Sequence, residues 1–352
     1  MLNVIAYTGG HNTPSSVPRV QQYIPGLREL GIRLVECPSR AGSFPPERKW
    51  ARPAWGLWNL AEHIPATLRS YRYDVVLLHR EMLVTMVTLE RFAKKPRVLD
   101  VDDAIWVHRG GGFARRLAAM CDHVLCGNAF LAEHFSQWNP KVSVLPTPVD
   151  TRRFTPLQRS EEPPVIGWLG LSDGFRYLYA IEPALLQVLR RHPEVRLRIV
   201  SNRPPKFSSL PAKQVEFVPY AKEREVAEMR NAAIGIMPLD DSVVSRGKCS
   251  YKMLQYMACG VPVVVSEVGM NGDVLRRGEV GFGVQTVAGW IDALETLLGD
   301  TELRARMGAC GREVVCQHYS TETLAPGLAA TLFAVSEGRQ PHPAVASGGV
   351  CR

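Results

Sequence analysis

Apolar runs of strand length alternate with helix-length segments along nearly the whole chain, and that alternation leaves few folds open. In the first half it predicts strands at 2–7, 32–36, 74–79, 97–101, 123–126 and 142–145. Helices are expected between them near 17–30, 56–70, 82–93, 113–119 and 129–137. The pattern stops where Pro146, Pro148, Pro156, Pro163 and Pro164 punctuate a charged stretch that neither a helix nor a central strand tolerates. It restarts at Val165, with strands at 165–169, 195–200, 215–218, 233–237, 262–265 and 281–284. The second set of helices falls near 174–191, 222–230, 248–258, 287–298, 302–316 and 321–335. The fold class is therefore α/β: two doubly wound, Rossmann-like domains facing across a cleft, residues 1–150 and 164–318, joined by a linker at 151–163. Ligands are expected at the carboxyl ends of the strands. The stretch 336–352 has no periodicity and is expected to be a disordered tail.

Composition agrees with two domains, since 352 residues at roughly 150 per domain gives that count. An apolar share of 46% with 22% charged residues supports sizeable cores and excludes collagen, coiled coil and global disorder. No stretch approaches the roughly 18–20 apolar residues that span a bilayer. The N-terminus lacks a basic leader and runs directly into Gly9-Gly10, so it reads as a first strand and not as a signal peptide. The eight cysteines form no CxxC pair, which points to reduced thiols in a cytoplasmic protein and not to a disulfide framework or zinc site. The net charge of +8 would attract phosphorylated molecules, anionic lipid or nucleic acid. No RRM, zinc-finger or helix-turn-helix pattern supports the last of these.

Chemistry-bearing residues concentrate in a few places. The run Arg246-Gly247-Lys248-Cys249-Ser250-Tyr251-Lys252-Met253-Leu254-Gln255-Tyr256-Met257-Ala258-Cys259-Gly260-Val261-Pro262 reads as a helix stopped by Gly260 before a buried strand. On such a helix Lys248, Lys252, Gln255 and Cys259 share one stripe. Basic residues at a helix N-terminus oppose the macrodipole, which a bound anion would reverse; a solvated face with snorkelling lysines is the plainer alternative. Glycine-rich turns follow the first strand of each half, around Gly10 and around Gly170-Leu171-Ser172. They would let backbone approach a phosphate, yet neither fits GxGxxG or Walker A.

Asp100-Val101-Asp102-Asp103 closes a strand. Asp100-x-Asp102 has the DxD form of metal-dependent sugar transferases, but the pair is not expected to chelate one ion without a bend in the chain. A receiver-like acidic pocket lacks its partners, and helix caps with a buried, backbone-bonded aspartate are an equal alternative. His11, His79 and His108 follow strand or loop ends without metal-ligand spacing. Arg48, Lys49 and Arg52 interleave with Trp50, Trp55 and Trp58, a pattern suited to an anionic membrane or an aromatic or lipid acceptor. The plainer expectation buries the tryptophans in the core.

Taken with Glu267-Val268-Gly269-Met270-Asn271-Gly272-Asp273, the run Lys248 to Val265 resembles the donor-binding signature of glycosyltransferase family 4 (glycosyl transferases group 1). Pro14 to Val20, Asp100 to Trp106, Asn128 to Ala132, Leu145 to Asp150 and Ile166 to Gly170 agree with one branch of it. The resemblance covers roughly residues 1–335 and implies a GT-B fold, a nucleoside diphosphate sugar as co-substrate, an acceptor hydroxyl, and retention of anomeric configuration. No metal or other cofactor is implied. The last helix, 319–335, is expected to return to the first domain.

The chain departs from the family pattern at identifiable positions. Where the family often has two glutamates eight apart, this chain has Gly247 and Gln255, and Asp240 or Asp241 is the replacement contact for the donor sugar. The usual diphosphate Arg and Lys fall at Trp168 and Asp173, which leaves Arg176, Lys248 and Lys252 for the phosphate charge. A strand-end histidine of the family corresponds to Asp102, so Asp102 and Asp103 are the expected contacts to the transferred sugar or acceptor. A nucleotide-sugar epimerase on the same fold and a non-catalytic sugar-nucleotide-binding subunit are the alternatives, and peripheral contact with the inner face of the cytoplasmic membrane is a further expectation.

Overall fold

The computed structural model describes residues 1–10, 13, 15–42, 45–46, 48–157 and 163–341. The chain divides into two compact units. The first contains Met1–Pro148, the short segment Arg246–Cys249 and the C-terminal helix from Thr321; the second contains Val149–Ser245 and Ser250–Ser320.

In the first unit, β1 (Leu2–Thr8), β2 (Ile32–Pro38), β3 (Val75–His79), β4 (Arg97–Val101), β5 (His123–Cys126) and β6 (Val142–Val144) form one parallel sheet, ordered β2-β1-β3-β4-β5-β6. The helices are α1 (Ser16–Arg19), α2 (Ile24–Glu29), α3 (Arg52–Arg69), α4 (Gly112–Met120) and α5 (Ala129–Ser136). Strands β1, β3, β4 and β5 read as near-continuous apolar runs because both faces of a parallel sheet are covered.

The second unit repeats the design. Its strands β7 (Val165–Leu169), β8 (Arg196–Ser201), β9 (Val215–Pro219), β10 (Ile234–Met237), β11 (Val263–Ser266) and β12 (Gly281–Val284) are ordered β12-β11-β10-β7-β8-β9. Its helices are α6 (Phe175–Ala180), α7 (Glu182–Arg191), α8 (Glu225–Arg230), α9 (Val243–Arg246), α10 (Tyr251–Ala258), α11 (Met270–Leu275), α12 (Val287–Gly299) and α13 (Thr301–His318). The last helix, α14 (Thr321–Ser336), packs Ala325, Leu328, Leu332 and Val335 onto Val4, Val20, Leu27 and Val75 of the first unit. Each sheet reverses its order once, between β1 and β3 and between β7 and β10, and those switch points open crevices at the carboxyl ends of the strands.

Four expected elements differ. No helix spans 82–93; only a turn at Glu90–Phe92 forms. Side chains take over the backbone bonding there, since the Glu81 carboxylate accepts from the Thr85 amide and the Glu90 carboxylate from those of Met82 and Thr88. The helix expected over 248–258 starts only at Tyr251, because Ser250 is left-handed (φ 51°), so Lys248 shares no stripe with Lys252 and Gln255. The helices at 17–30 and 174–191 are each broken where Pro25 and Pro183 open a new helix. The tryptophans are not in the core: Trp50 and Trp58 are exposed, and Trp55 is half-buried with its indole N–H on the Ala41 carbonyl at 3.0 Å. The expected tail lies outside the described residues from 342 onward.

Helix α10 presses closely on the second sheet because Gly167 and Gly235 leave a slot for Tyr256. A Cβ on Gly235 would sit 2.4 Å from the Tyr256 ring. Both residues are buried, so Gly235→Ala should cost roughly 1–3 kcal/mol or more by overpacking. Gly299→Ala, which meets nothing within 4 Å, should leave stability unchanged. Urea-unfolding midpoints of the two variants test this, and equal midpoints would show that the slot relaxes freely.

Candidate functional site

The crevice of the first unit is built on a buried ion pair. Arg19, at the end of α1, directs Nε to Asp100 Oδ2 at 3.0 Å and a second nitrogen to Oδ1, and both residues are 2% exposed. Its remaining nitrogen reaches the Leu145 carbonyl at 2.7 Å and Thr147 Oγ1 at 3.4 Å. On the other side of Asp100, His79 places Nδ1 3.1 Å from Oδ2 and Nε2 3.0 Å from Ser15 Oγ. Ser15 follows β1, His79 ends β3 and Asp100 lies in β4, so this chain of contacts runs across the switch point.

Two residues further on, just past the end of β4, Asp102 has a different partner. Arg80 sits at φ 62°, a costly conformation for an arginine, and places Nε 2.7 Å from Asp102 Oδ1. The same guanidinium lies 3.7 Å from Asp103 Oδ2. Burial alone would raise the Asp102 carboxyl, but Arg80 holds it below the usual carboxylate range, so it stays ionised.

The segment Arg246–Cys249 folds onto these strand ends. Asn128 caps α5 through Oδ1 and donates from Nδ2 to the carbonyls of Arg246 and Lys248 at 3.2 and 3.0 Å. Cys249 is buried against the Asp102 carbonyl, 3.2 Å away. A Cβ on Gly247 would lie 2.8 Å from that of Ala104 and 2.9 Å from its backbone nitrogen, so no glutamate fits at 247 without moving the segment.

In the second unit, the loops after β7 and β10 bring Arg176, Tyr177, Asp240, Ser242 and Ser245 into one network. Arg176 donates to Tyr177 Oη at 2.6 Å and lies over its ring; Ser245 Oγ reaches Tyr177 Oη at 3.1 Å and also the Asp240 carboxylate. Asp240 is held below the usual carboxylate range, with the Ser242 and Ser245 hydroxyls outweighing its partial burial. Asp240, Asp241 and Arg176 are exposed at the crevice rim.

The other expected donor residues are placed less simply. Lys252 donates to Gln255 Oε1 at 2.9 Å and Glu225 Oε1 at 3.0 Å, and Arg153 grips the other Glu225 oxygen at 3.1 Å. Gln255 is 1% exposed, so as placed it supports this cluster and offers no open amide. The Ser172 amide is taken by Asn202 Oδ1 at 2.8 Å. Gly170 is required by the Trp168 indole, which a Cβ would approach to 2.7 Å. Gly10, with φ 136°, turns the chain out of β1.

Thus the structure joins Asp102 with Asp103, Arg176 with Asp240, and Lys252 with Gln255, while Lys248 belongs to the first unit's crevice. Sequence reasoning missed Arg19, Arg80, Tyr177, Glu225 and Ser245. Arg80 carried a signal, as one of three polar residues, His79-Arg80-Glu81, at the end of a buried strand, and Arg19 lies in the Pro14 to Val20 stretch of the resemblance. Among the described residues no His, Cys, Asp and Glu side chains group as a metal site. A cavity of about 260 Å³ lined by Lys95, Asp122, Lys141 and Arg339 lies at the amino ends of β4 to β6, the opposite edge of the sheet.

Residues 163–300 match the family of glycosyl transferases group 1. Over 341 residues the chain is 24% identical to a D-inositol 3-phosphate glycosyltransferase of Nocardia farcinica, covering 84% of this chain and 73% of that one. It is 35% identical over 74 residues to an N-acetyl-alpha-D-glucosaminyl L-malate synthase of Bacillus anthracis, covering 20% and 19%. Among solved structures, sucrose-phosphate synthase of Thermosynechococcus elongatus is similar with a TM-score of 0.68 at 15% identity, over 95% of this chain and 100% of that one. Anabaena HepE, solved in complex with UDP and glucose, has a TM-score of 0.68 at 13% identity, over 94% and 99%. The structural likeness establishes the fold, two Rossmann-like units of the GT-B type.

The buried ion pair makes the first unit sensitive to acid. Burial would raise Asp100, but Arg19 and the hydrogen bond from His79 bring its pKa down to about 2. With an unfolded value near 3.9, the carboxylate's contribution is full above about pH 4 and is lost as pH falls through about 2. Urea-unfolding midpoints should therefore drop between about pH 4 and 2, with a slope that Asp100→Asn lacks. At neutral pH the same variant should be about 3–5 kcal/mol less stable, because Arg19 loses its counter-ion. An unchanged slope in the variant would assign the titration to another group.

Proposed function

We propose how this chain, a GT-B glycosyltransferase related to glycosyl transferases group 1 that moves sugar from a nucleoside diphosphate donor, distributes its chemistry. The donor lies at the carboxyl edge of the second sheet, at the switch point between β7 and β10. The observation that carries this is the network there: Arg176, Tyr177, Asp240 and Ser245 converge from the two loops that bracket the crevice. Arg176 takes diphosphate charge, and Asp240 with Asp241 holds hydroxyls of the donor sugar; Lys248 adds a cation to the first unit's crevice. Gly170, Ser172, Lys252 and Gln255 shape the wall behind them.

The first unit supplies the acceptor side. Asp102 is ionised and fixed by Arg80, so it accepts hydrogen bonds from a sugar or acceptor hydroxyl without rearranging; Asp103 lies beside it. His79, aligned by Asp100, holds the Ser15 hydroxyl at the mouth of the same crevice. Transfer proceeds with retention: the acceptor attacks from the leaving-group face, and the departing phosphate takes its proton. Rate enhancement comes from positioning and from charge stabilisation of that phosphate. All seven cysteines described are free, which supports a reducing, cytoplasmic setting.

Thermal shift with UDP, GDP, ADP and TDP identifies the base, since a ligand at a hundredfold excess over Kd stabilises the native state by about 2.7 kcal/mol. Arg176→Ala should weaken binding of the preferred diphosphate by about 10- to 100-fold, the worth of a charge-assisted hydrogen bond, with an unchanged melting point without ligand. Equal affinity would remove Arg176 from the phosphate site. Asp102→Asn should cut turnover by at least about tenfold while nucleotide affinity holds; an unchanged rate would return Asp102 to a structural role.

A further inference from the structure

Helix α3 is packed inside out. The face it turns to its own unit carries Asn59, His63, Ala66 and Thr67, followed by buried Ser70. It is fastened by polar contacts: Asn59 Nδ2 donates to the Gly42 carbonyl at 3.0 Å, and Tyr7 Oη to the Ala66 carbonyl at 2.6 Å. The opposite face carries Trp50, Ala54, Leu57, Ala61, Ile64, Leu68 and Tyr71, all exposed, at alternating spacings of four and three. Trp50 is 77% exposed, Leu57 70% and Leu68 66%, with Trp58 beside them at 64%. The stripe runs about 30 Å at 1.5 Å per helical residue. An apolar strip that long is not left to water by the needs of folding, because folding has not used it.

Its charges define the partner. Arg48, Lys49 and Arg52 are exposed at one end of the stripe, Arg69 and Arg72 at the other. The single acidic residue within 48–72 is Glu62, and its carboxylate is spent on the amides of Arg40 and Ala41 at 2.5 and 3.1 Å. The first turn of α3 has no acidic residue, so three cations crowd the positive end of a helix. Two copies of this face would oppose like charges. A surface of negative phosphates over an apolar interior satisfies both features at once, with tryptophans and a tyrosine at the depth where headgroups meet acyl chains.

We propose that the apolar stripe of α3 seats the protein on an anionic lipid surface, lying in the interface plane. No helix among the described residues is long and apolar enough to cross a membrane, so the attachment is peripheral. It stands apart from the donor reading, since α3 belongs to the first unit and the donor network to the second.

The test is flotation of the full chain with phosphatidylcholine vesicles, with or without about one-third phosphatidylglycerol, at salt from about 50 to about 500 mM. Wild type should float with the anionic vesicles only, and its tryptophan emission should shift to the blue. Leu57→Ser/Ile64→Ser/Leu68→Ser should reduce partitioning by at least about tenfold at every salt concentration. Lys49→Gln/Arg52→Gln/Arg69→Gln should lose the preference for anionic lipid. All these residues are exposed, so the nucleotide-induced thermal shift should persist in both variants, which separates failure of this inference from failure of the donor site. Binding that survives the triple serine variant overturns the proposal. So does absence of wild-type binding, whether the protein is then monomeric or forms a dimer that the same variant dissolves.

Discussion

Arg19 and Asp100 are two opposite charges almost wholly removed from water, and much of the first unit is arranged to make that tolerable. A buried ion pair recovers its desolvation cost only when its remaining donors and acceptors are also satisfied. Arg19 therefore binds β4 through Asp100 and the chain after β6 through Leu145 and Thr147, drawing α1 down onto the sheet. Asp100 Oδ2 also meets His79 Nδ1, which fixes that ring and, through it, Ser15. Asp102 lies just past the end of β4 and is held by Arg80 instead. The DxD pattern is thus divided between two arginines and cannot act as one chelating pair.

Close backbone approach is the second constraint. Gly127 and Gly247 let the segment 246–249 lie against the ends of β4 and β5, where a Cβ on Gly127 would meet Cys249 Sγ at 2.3 Å. Gly247 is therefore required by packing against Ala104, and a larger residue there would displace the segment. The positive charge at this point comes from Lys248, on the residue that Asn128 holds by its carbonyl.

The α/β class and the strands were legible because a parallel sheet covered on both faces leaves unmistakable apolar runs, as at Val75–His79 and Arg97–Val101. Helices failed where side chains compete for backbone, as Glu81 and Glu90 do, or where one residue turns left-handed, as Ser250 does. At the sites, Asp102, Asp103, Arg176 and Asp240 could be named because they end strands or open the loops after them. Their partners could not. Arg80, Tyr177 and Ser245 matter through pairings across 22 and 68 residues, a distance over which local pattern carries no information. Gln255 was legible as a motif position but not as a buried partner of Glu225, because burial of a polar side chain is decided by what packs against it.

The inverted polarity of α3 follows from the same logic. A helix whose inward face is polar can be held only by specific hydrogen bonds, and one of these comes from Tyr7, the penultimate residue of β1. Strand β1 leads directly into Gly9-Gly10. The helix proposed to meet the lipid surface is thus fastened directly to the first strand of the sheet. Under that proposal, an acceptor tethered at the same surface would meet a protein already seated there. A freely diffusing acceptor would gain nothing from the exposed stripe, and the unsatisfied apolar area on α3 would then be a standing liability for aggregation.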